Sequence, residues 1–348
     1  MNKITLNIHN TILRIQTDNL EFFDFIKKDM YYFVSDTKRN TTINSNIFFT
    51  KQYKNVDFNN FNKIGANSYI NNEILIYKDI DFIIEAYYEK NSIVLNCFIH
   101  NKNTIKRQTK NIIKTILGRK VEKNYAFLHI VRRLIIFPSF YYMENFKHMH
   151  VMHASAFTFK DKTFVLAGLA NIGKSTNSLV STFDFDGKFL SDNFLIYDYS
   201  KVYSFPELIR VSDETMNMIQ NSKKLGKHKY TRGHRKLYEI DKQYINDNSN
   251  VDILIFPSLS SKFKIERIDL EYAIELILST NEYVQEFHNI DFISMFNRIH
   301  KSSYSPHIDK VKVLKELLKD TKLFIVAFDK NKNPKLNMES IYEHTICK

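Results

Sequence analysis

Eight consecutive residues give the chain its clearest chemical pattern. From Gly168 to Ser175 they read GLANIGKS and match GxxxxGK[ST], the Walker A phosphate loop. In this pattern the glycines let backbone N–H groups turn towards phosphate oxygens, the Lys ammonium reaches the outer phosphates, and the Ser hydroxyl ligates Mg²⁺. Only 7 of the 348 residues are glycine, so a chance match is rarer than average composition would give. The pattern predicts a site for a nucleotide triphosphate.

The expected ligands of this loop are ATP and Mg²⁺. Lys174 is predicted to stabilise the β- and γ-phosphates, and Ser175 to bind the metal ion. The other predicted nucleotide contacts come from the loop and the first helical turn after it, at Gly168, Asn171, Ile172, Gly173 and Thr176. The apolar run TFVLA before the loop predicts a strand, and the residues from Lys174 predict a helix whose N-terminus faces the anion.

A carboxylate follows the loop at a spacing that suits one helix and one strand. Asp192 lies 18 residues after Lys174, and a carboxylate beside the γ-phosphate can hold Mg²⁺ or take the proton of an attacking hydroxyl. Asp192 is therefore a candidate both as catalytic base and as metal ligand. An ordinary turn aspartate is the structural alternative, and Asp198, after the apolar residues FLIY, is a second candidate for the metal site.

A histidine precedes the loop on a strand that should pair beside the loop strand. At that place His153 could orient the nucleophile or contact a phosphate. A histidine beside an apolar run can equally be hydrogen-bonded structure, and spacing alone does not decide between these roles.

The run from Met152 to Asp198 resembles the catalytic core of HPr kinase/phosphorylase and of the wider HPr-kinase-like group, which includes kinases that modify lasso peptides. That group has a β-hairpin with a His-Ala/Gly motif, then the phosphate loop, then an Asp-Asp pair, on the fold shared with ATP-dependent phosphoenolpyruvate carboxykinase. Here the matching residues are His153 and the pair Asp192 and Asn193. The resemblance implies proton transfer by Asp192, catalytic assistance by His153, and a metal contact by Asn193 through its neutral carbonyl oxygen.

The following residues SFPELIRVS are similar to the proline-containing stretch that ends in Arg in these kinases. The resemblance implies that Arg210 neutralises phosphate charge or holds the substrate, a task that suits its planar fork. Taken alone, Arg210 would be a surface arginine. The chain departs from the group at Asn193 and in having no glycine-rich segment after the core, so phosphorylase activity and HPr as substrate are not implied.

The densest basic run is Lys223 to Lys236, KKLGKHKYTRGHRK. One interpretation is a mobile segment that closes over the active site and brings Lys229, Arg232 or Arg235 to a phosphate or an acidic substrate. The alternative is a solvated loop.

The patterning predicts an α/β (α+β) fold, with a P-loop nucleotide-binding core of the HPr kinase/phosphoenolpyruvate carboxykinase type and a β-rich N-terminal region. Runs such as ITLNIH and FIIEAYY predict strands; a helix is expected from Leu20 with Asp18 as its N-cap, and a helix break at Pro138. The predicted divisions are a β-rich region for substrate recognition at 1–105, a helical connector packed on the core at 106–148, the catalytic domain at 149–330 and a tail at 331–348.

Composition narrows the class of protein further. The charge of +12 comes from scattered lysines and is not accompanied by a nucleic-acid motif, so a nucleic-acid partner is not expected. Arg132, Arg133 and Pro138 interrupt the longest apolar stretch, which argues against a membrane span. Cys97 and Cys347 lack metal-ligand spacing, and the start has no secretory h-region. These features favour the cytoplasm and leave a homo-oligomer open.

The function predicted from the residues and the resemblance is an ATP-dependent kinase that transfers the γ-phosphoryl group to a hydroxyl, most simply a serine of a protein or peptide. A kinase for free serine or another small metabolite is one alternative. A nucleotide-binding regulatory protein with reduced catalysis is another, and Asn193 is the residue that suggests it. The HRD and DFG signatures of eukaryotic-type protein kinases are missing.

Overall fold

The computed structural model describes residues 1–50, 57–79, 82–90, 92–100, 125–221, 225–232, 235–281, 293 and 306–346. The chain divides into two compact units: the first is Met1–Asn145 with Phe287–Tyr304, and the second is Phe146–Glu286 with Ser305–Lys348. Both contain helices and strands, and their sheets mix parallel and antiparallel pairs. The predicted combination of α and β structure is therefore confirmed.

The first unit is built on one eight-stranded sheet, which agrees with the β-rich character predicted for this part of the chain. Its spatial order is β1-β2-β3-β8-β7-β6-β5-β4. His9 and Asn10 both have positive φ, as the two-residue turn of a hairpin requires. The strands are β1 Asn2–Ile8, β2 Thr11–Thr17, β3 Ile43–Thr50, β4 Asn62–Lys63, β5 Ser68–Ile70, β6 Ile74–Lys78, β7 Phe82–Glu89 and β8 Ser92–His100.

The first helix, α1, spans Leu20–Asp29, and its N-cap differs from the expected one. Asn19 Oδ1 accepts a hydrogen bond from the Phe22 backbone N–H at 2.9 Å. Asp18 instead accepts one from the backbone N–H of Phe49 in β3. Both residue types cap helices well, and the tertiary contact of Asp18 decides which of them does so here.

The helical segment after the first sheet does not break at Pro138. It consists of α2 Tyr125–Val131, a π-helical turn Arg132–Ile136 and α3 Phe137–Lys147. The π-helical turn shifts the hydrogen-bond register, and Phe137 N–H bonds to Arg132 O, so the missing N–H of Pro138 falls at a junction and not inside a regular helix. Through Asn145 this segment belongs to the first unit. Residues 106–124 of the predicted connector lie outside the described residues.

The second unit has a nine-stranded sheet in the order β17-β13-β12-β9-β10-β18-β20-β19, with β11 paired to β9, and a separate three-stranded sheet in the order β14-β16-β15. β10, β18 and β20 run parallel. The strands are β9 His150–Phe159, β10 Lys162–Ala167, β11 Lys188–Ser191, β12 Phe194–Tyr197, β13 Val202–Tyr203, β14 Ile209–Ser212, β15 Leu225–Arg232, β16 Arg235–Ile240, β17 Asn248–Ser249, β18 Ile253–Ser260, β19 Lys264–Arg267 and β20 Lys322–Asp329.

The helices of the second unit are α4 Lys174–Asp184, α5 Asp213–Met218, a 3₁₀ turn Lys242–Tyr244, α6 Leu270–Thr280, α7 Pro306–Leu318 and α8 Pro334–Thr345. Asp269 caps α6, accepting from the Tyr272 N–H at 2.8 Å. The residues predicted as a tail, 331–348, thus contain a helix of this unit. No described helix anywhere in the chain has the length and apolar character that crossing a membrane demands.

Helices cover both faces of the main sheet, and β10 shows why. Val165 and Ala167 pack in a core with residues of α6 and α7, whereas Phe164 and Leu166 pack in a second core with residues of α8. Alternate residues of a strand face opposite sides of its sheet, so the continuous apolar run TFVLA is what a strand buried on both faces requires. The loop that follows β10 is thereby held at the edge of a rigid sheet.

Candidate functional site

The Walker A residues form the loop between β10 and α4. Gly168 has φ 130° and Gly173 has φ 88°, conformations that side-chain-bearing residues rarely adopt. Gly173 is the N-cap of α4 and provides no side-chain cap. The first N–H groups of this helix are therefore not capped by that residue, and a helix N-terminus of this kind favours an anion.

Lys174, the first residue of α4, folds back onto the loop. Its buried Nζ donates hydrogen bonds to the carbonyl oxygens of Gly168 at 2.8 Å and Leu169 at 2.5 Å. Of the other predicted nucleotide contacts, Asn171 is exposed, while Ile172 and Thr176 are half-buried. The Lys174 ammonium therefore lies against the carbonyl oxygens of its own loop. One of these carbonyls belongs to Leu169, whose side chain is exposed.

Asp192 lies between β11 and β12, where it meets the loop helix. Its carboxylate accepts a hydrogen bond from the Ser155 hydroxyl at 2.8 Å, and the Ser175 hydroxyl lies close enough to lower its pKa. Burial raises the pKa of Asp192 above its ordinary value; the two hydroxyls and the Arg210 guanidinium oppose that rise, and Glu207 adds to it. The structure therefore brings together three residues predicted separately: Ser175, Asp192 and Arg210.

Glu207 is a site residue to which sequence reasoning gave no role. Its Oε2 accepts a hydrogen bond from Asn193 Nδ2 at 3.0 Å, and its charge acts on Asp192. The amide at Asn193 thus donates to a carboxylate, which a second aspartate at that position could not do at neutral pH. The available sequence signal was the position of Glu207 three residues before Arg210.

His153 lies on β9 opposite Phe194 of β12. Its Nδ1 is 3.0 Å from the carbonyl oxygen of Asn193. A carbonyl oxygen only accepts, so Nδ1 carries the proton of this bond. Burial, and then the positive charge of Lys174, lower the pKa of His153 to about 4. The imidazole is therefore neutral near pH 7, and its Nε2 carries a lone pair.

Asn281, directly after α6, positions His153 and was missed by sequence reasoning. Its Oδ1 accepts from the His153 backbone N–H at 2.8 Å, and its Nδ2 donates to Val151 O at 3.1 Å. β10 pairs with β9 only as far as Ala154, because β10 ends at Ala167 and the chain turns into the loop Gly168–Ser175 there. Asn281 supplies the hydrogen bonds that a longer neighbouring strand would have made. An Asn after a helix is common as a cap, which gives no hint of this contact.

Asp198, the second carboxylate candidate, lies at the opposite end of β12 from Asp192. It accepts hydrogen bonds from the backbone N–H groups of Ser200 and Lys201, at 2.8 and 2.9 Å, and from the Tyr203 hydroxyl at 2.5 Å. Burial alone would raise the pKa of Asp198, but these bonds hold it below its ordinary value. Asp198 stabilises the turn into β13.

The basic run is not a loop within the described residues. Residues 225–232 and 235–240 form the antiparallel strands β15 and β16, and β16 pairs with β14, the strand of Arg210. Lys229 forms an ion pair with Glu239 at 2.5 Å. Residues 223–224 and 233–234 of the run lie outside the described residues. The described part of the basic run is therefore a hairpin that pairs with the strand of Arg210, not a loop.

The donor atoms at this site fit Mg²⁺. Among the described residues no group of three or more His, Cys, Asp or Glu side chains is arranged to hold a metal ion. Mg²⁺ does not require one, because it usually takes one or two carboxylates together with phosphate oxygens and waters. The Ser175 hydroxyl and the Asp192 carboxylate supply adjacent oxygen atoms.

Comparison of the chain with protein-family models and with curated proteins gives no match.

Proposed function

We propose that the chain is an ATP-dependent kinase that transfers the γ-phosphoryl group to a hydroxyl, with a serine of a protein or peptide as the acceptor. The observation that carries the proposal is the position of the Asp192 carboxylate, which Ser155 holds at 2.8 Å and whose pKa the Ser175 hydroxyl lowers from the first turn of α4. The hydroxyl that a Walker A loop uses for Mg²⁺ therefore lies beside the carboxylate best placed to act as a base.

The reaction step follows from the state of Asp192. The acceptor oxygen forms a bond to the γ-phosphorus while the bond from that phosphorus to the β,γ-bridging oxygen breaks, and ADP leaves with the electron pair. The hydroxyl proton passes to the Asp192 carboxylate. Burial raises the pKa of Asp192, and a carboxylate with a higher pKa is a better proton acceptor near neutral pH.

The surrounding cations neutralise charge during this step. Lys174 exchanges the carbonyl oxygens of Gly168 and Leu169 for phosphate oxygens, and Arg210 brings a guanidinium that already acts on Asp192. Ser175 and Asp192 would hold Mg²⁺, which supplies charge neutralisation between the phosphates. His153 stays neutral at pH 7 because of its low pKa, and its lone pair at Nε2 can accept a hydrogen bond from the acceptor.

Phosphate transfer from ATP and Mg²⁺ to peptides and to protein extract, followed by mass spectrometry, tests the proposal. Asp192→Asn should lower kcat by about 100-fold or more, since a positioned general base contributes that much, while ATP binding is retained. Asp198→Asn is the matched control, because that carboxylate serves a turn, and it should keep the rate. Transfer by Asp192→Asn at the wild-type rate would exclude this mechanism. ATP binding without transfer to any acceptor would favour the regulatory alternative.

A further inference from the structure

The three-stranded sheet has an open edge. In its order β14-β16-β15, β15 is the outer strand and bonds to β16 on one side. No other described strand pairs with residues 225–232. An open edge presents unpaired N–H and C=O groups to which an extended chain can add.

The face of this sheet that carries Arg210 holds a second arginine, and its one carboxylate on β16, Glu239, is paired with Lys229. Arg210 is opposite Leu237, and Ser212 is opposite Arg235, in continuous register. Directly opposite residues share a face, and residues two apart on a strand share it as well. Arg235 therefore lies on the same face as Arg210, one two-residue step of about 7 Å further along the strand.

Two exposed cations of this sheet, one on the face of Arg210 and one on the edge strand β15, are available to a partner. Arg235 and Lys227 are exposed, and neither forms an ion pair with a described residue. Lys229 and Lys236, by contrast, are paired with Glu239 and Asp213. The positive charge of Arg210 acts on Asp192, so the face of Arg210 begins at the candidate site and continues away from it along the sheet.

We propose that β15 and the Arg210 face bind an extended, acidic segment of the acceptor protein by strand addition. The inference rests on the proposed kinase function and names the chemistry of its acceptor. Backbone hydrogen bonds along β15 would hold the segment, and its carboxylates would face Arg235 and Lys227. The segment would then direct its hydroxyl residue towards Asp192. A second copy of this chain is a poor occupant, because two such basic edges repel each other.

Peptide binding to the full-length chain without nucleotide tests this proposal independently of phosphoryl transfer. Two fluorescein-labelled synthetic peptides carry a central Ser flanked by alternating Glu and Thr or by alternating Lys and Thr. Fluorescence anisotropy should show binding of the acidic peptide only. Arg235→Glu and Lys227→Glu should each weaken it by about tenfold or more, because each replaces an attractive charge by one that repels the acidic peptide. Lys3→Glu, the same charge change on an exposed residue of β1, should leave it unchanged.

The backbone contribution is tested with the acidic peptide N-methylated at alternate residues, which removes donors without altering the protein. Loss of binding is expected from strand addition. Equal binding of the acidic and basic peptides would overturn the proposal, because an edge that is only protected by lysines predicts that result. Unchanged peptide binding in the Arg235→Glu variant, or unchanged binding of the N-methylated peptide, would also overturn it. So would equally tight binding of an oligothymidylate, or a dimer of the free chain that Lys227→Glu disrupts. Peptide binding without any transfer would count against the kinase proposal alone.

Discussion

The Nδ1 atom of His153 donates a hydrogen bond to the backbone carbonyl oxygen of Asn193 at 3.0 Å. The bond joins β9 to the residue that follows Asp192, and it selects the tautomer with the lone pair on Nε2. With the nearby positive charge of Lys174 and the burial of the ring, the neutral imidazole is the stable form. The bond thus determines the position and the tautomer of the histidine, while burial and Lys174 keep it neutral.

The low pKa of His153 makes stability depend on pH. The folded state takes up the proton near pH 4 and the unfolded state near pH 6.5, so between these values the unfolded state binds more protons and stability rises with pH. Lowering the pH from 7 to 4 should reduce the unfolding free energy by up to about 3 kcal/mol through this residue. The unfolding free energy measured by urea denaturation at each pH, together with hydrogen exchange of the β9 amides, tests this effect.

His153→Gln is the comparison variant for this pH dependence. It removes the titrating group while an amide donor remains for the carbonyl of Asn193. The difference in unfolding free energy between wild type and variant should shrink as the pH falls from 6.5 to 4. A parallel pH dependence in the two chains would contradict the depressed pKa.

The contact between Asn193 and Glu207 predicts that restoring an acidic pair harms this chain. Asn193→Asp would place two carboxylates where an amide now donates at 3.0 Å, and like charges at that distance cannot both ionise without cost. We expect a loss of about 1–3 kcal/mol of stability at pH 7, the cost of an unsatisfied buried group, and a lower kcat.

Glu207→Gln in the same chain should reverse that loss, because an amide then faces the new carboxylate. A double-mutant cycle of urea unfolding free energies measures the coupling between the two positions. Simple additivity of the two substitutions would show that the contact contributes nothing to the site.

Local patterns predicted the elements that present the candidate site. The strand before Gly168 and the helix from Lys174 each follow from neighbouring residues, because turn, cap and strand preferences act over a few positions. Long-range contacts decided the rest. Asn281 contacts His153, which lies 128 residues earlier in the chain. The basic run forms a hairpin that pairs with β14, and its polar residues do not alternate with apolar ones in a way that would predict strands.

Lys174→Met should weaken ATP binding while the fold persists. The substitution removes the ammonium but keeps an unbranched side chain, and the freed carbonyl of Leu169 belongs to an exposed residue that water can reach. A charged hydrogen bond contributes about 1.5–3 kcal/mol, so the affinity should fall by about 10- to 100-fold. Titration with a fluorescent ATP analogue measures it. Lys188→Met, on an exposed residue of β11, should keep the wild-type affinity, and an equal affinity in both variants would argue against a phosphate contact by Lys174.

Asn281→Leu tests whether the residue after α6 positions the histidine. The volume is similar, but the His153 N–H and the Val151 carbonyl lose their partner, and each unsatisfied buried group costs about 1–3 kcal/mol. The His153 amide should exchange about tenfold faster or more, and kcat should fall while ATP affinity stays the same, because the loop from Gly168 is untouched. The control is Thr280→Val, whose hydroxyl bonds only within α6, to Leu276 O. If the His153 amide exchanges equally slowly in Asn281→Leu and in Thr280→Val, Asn281 only terminates α6 and does not position His153.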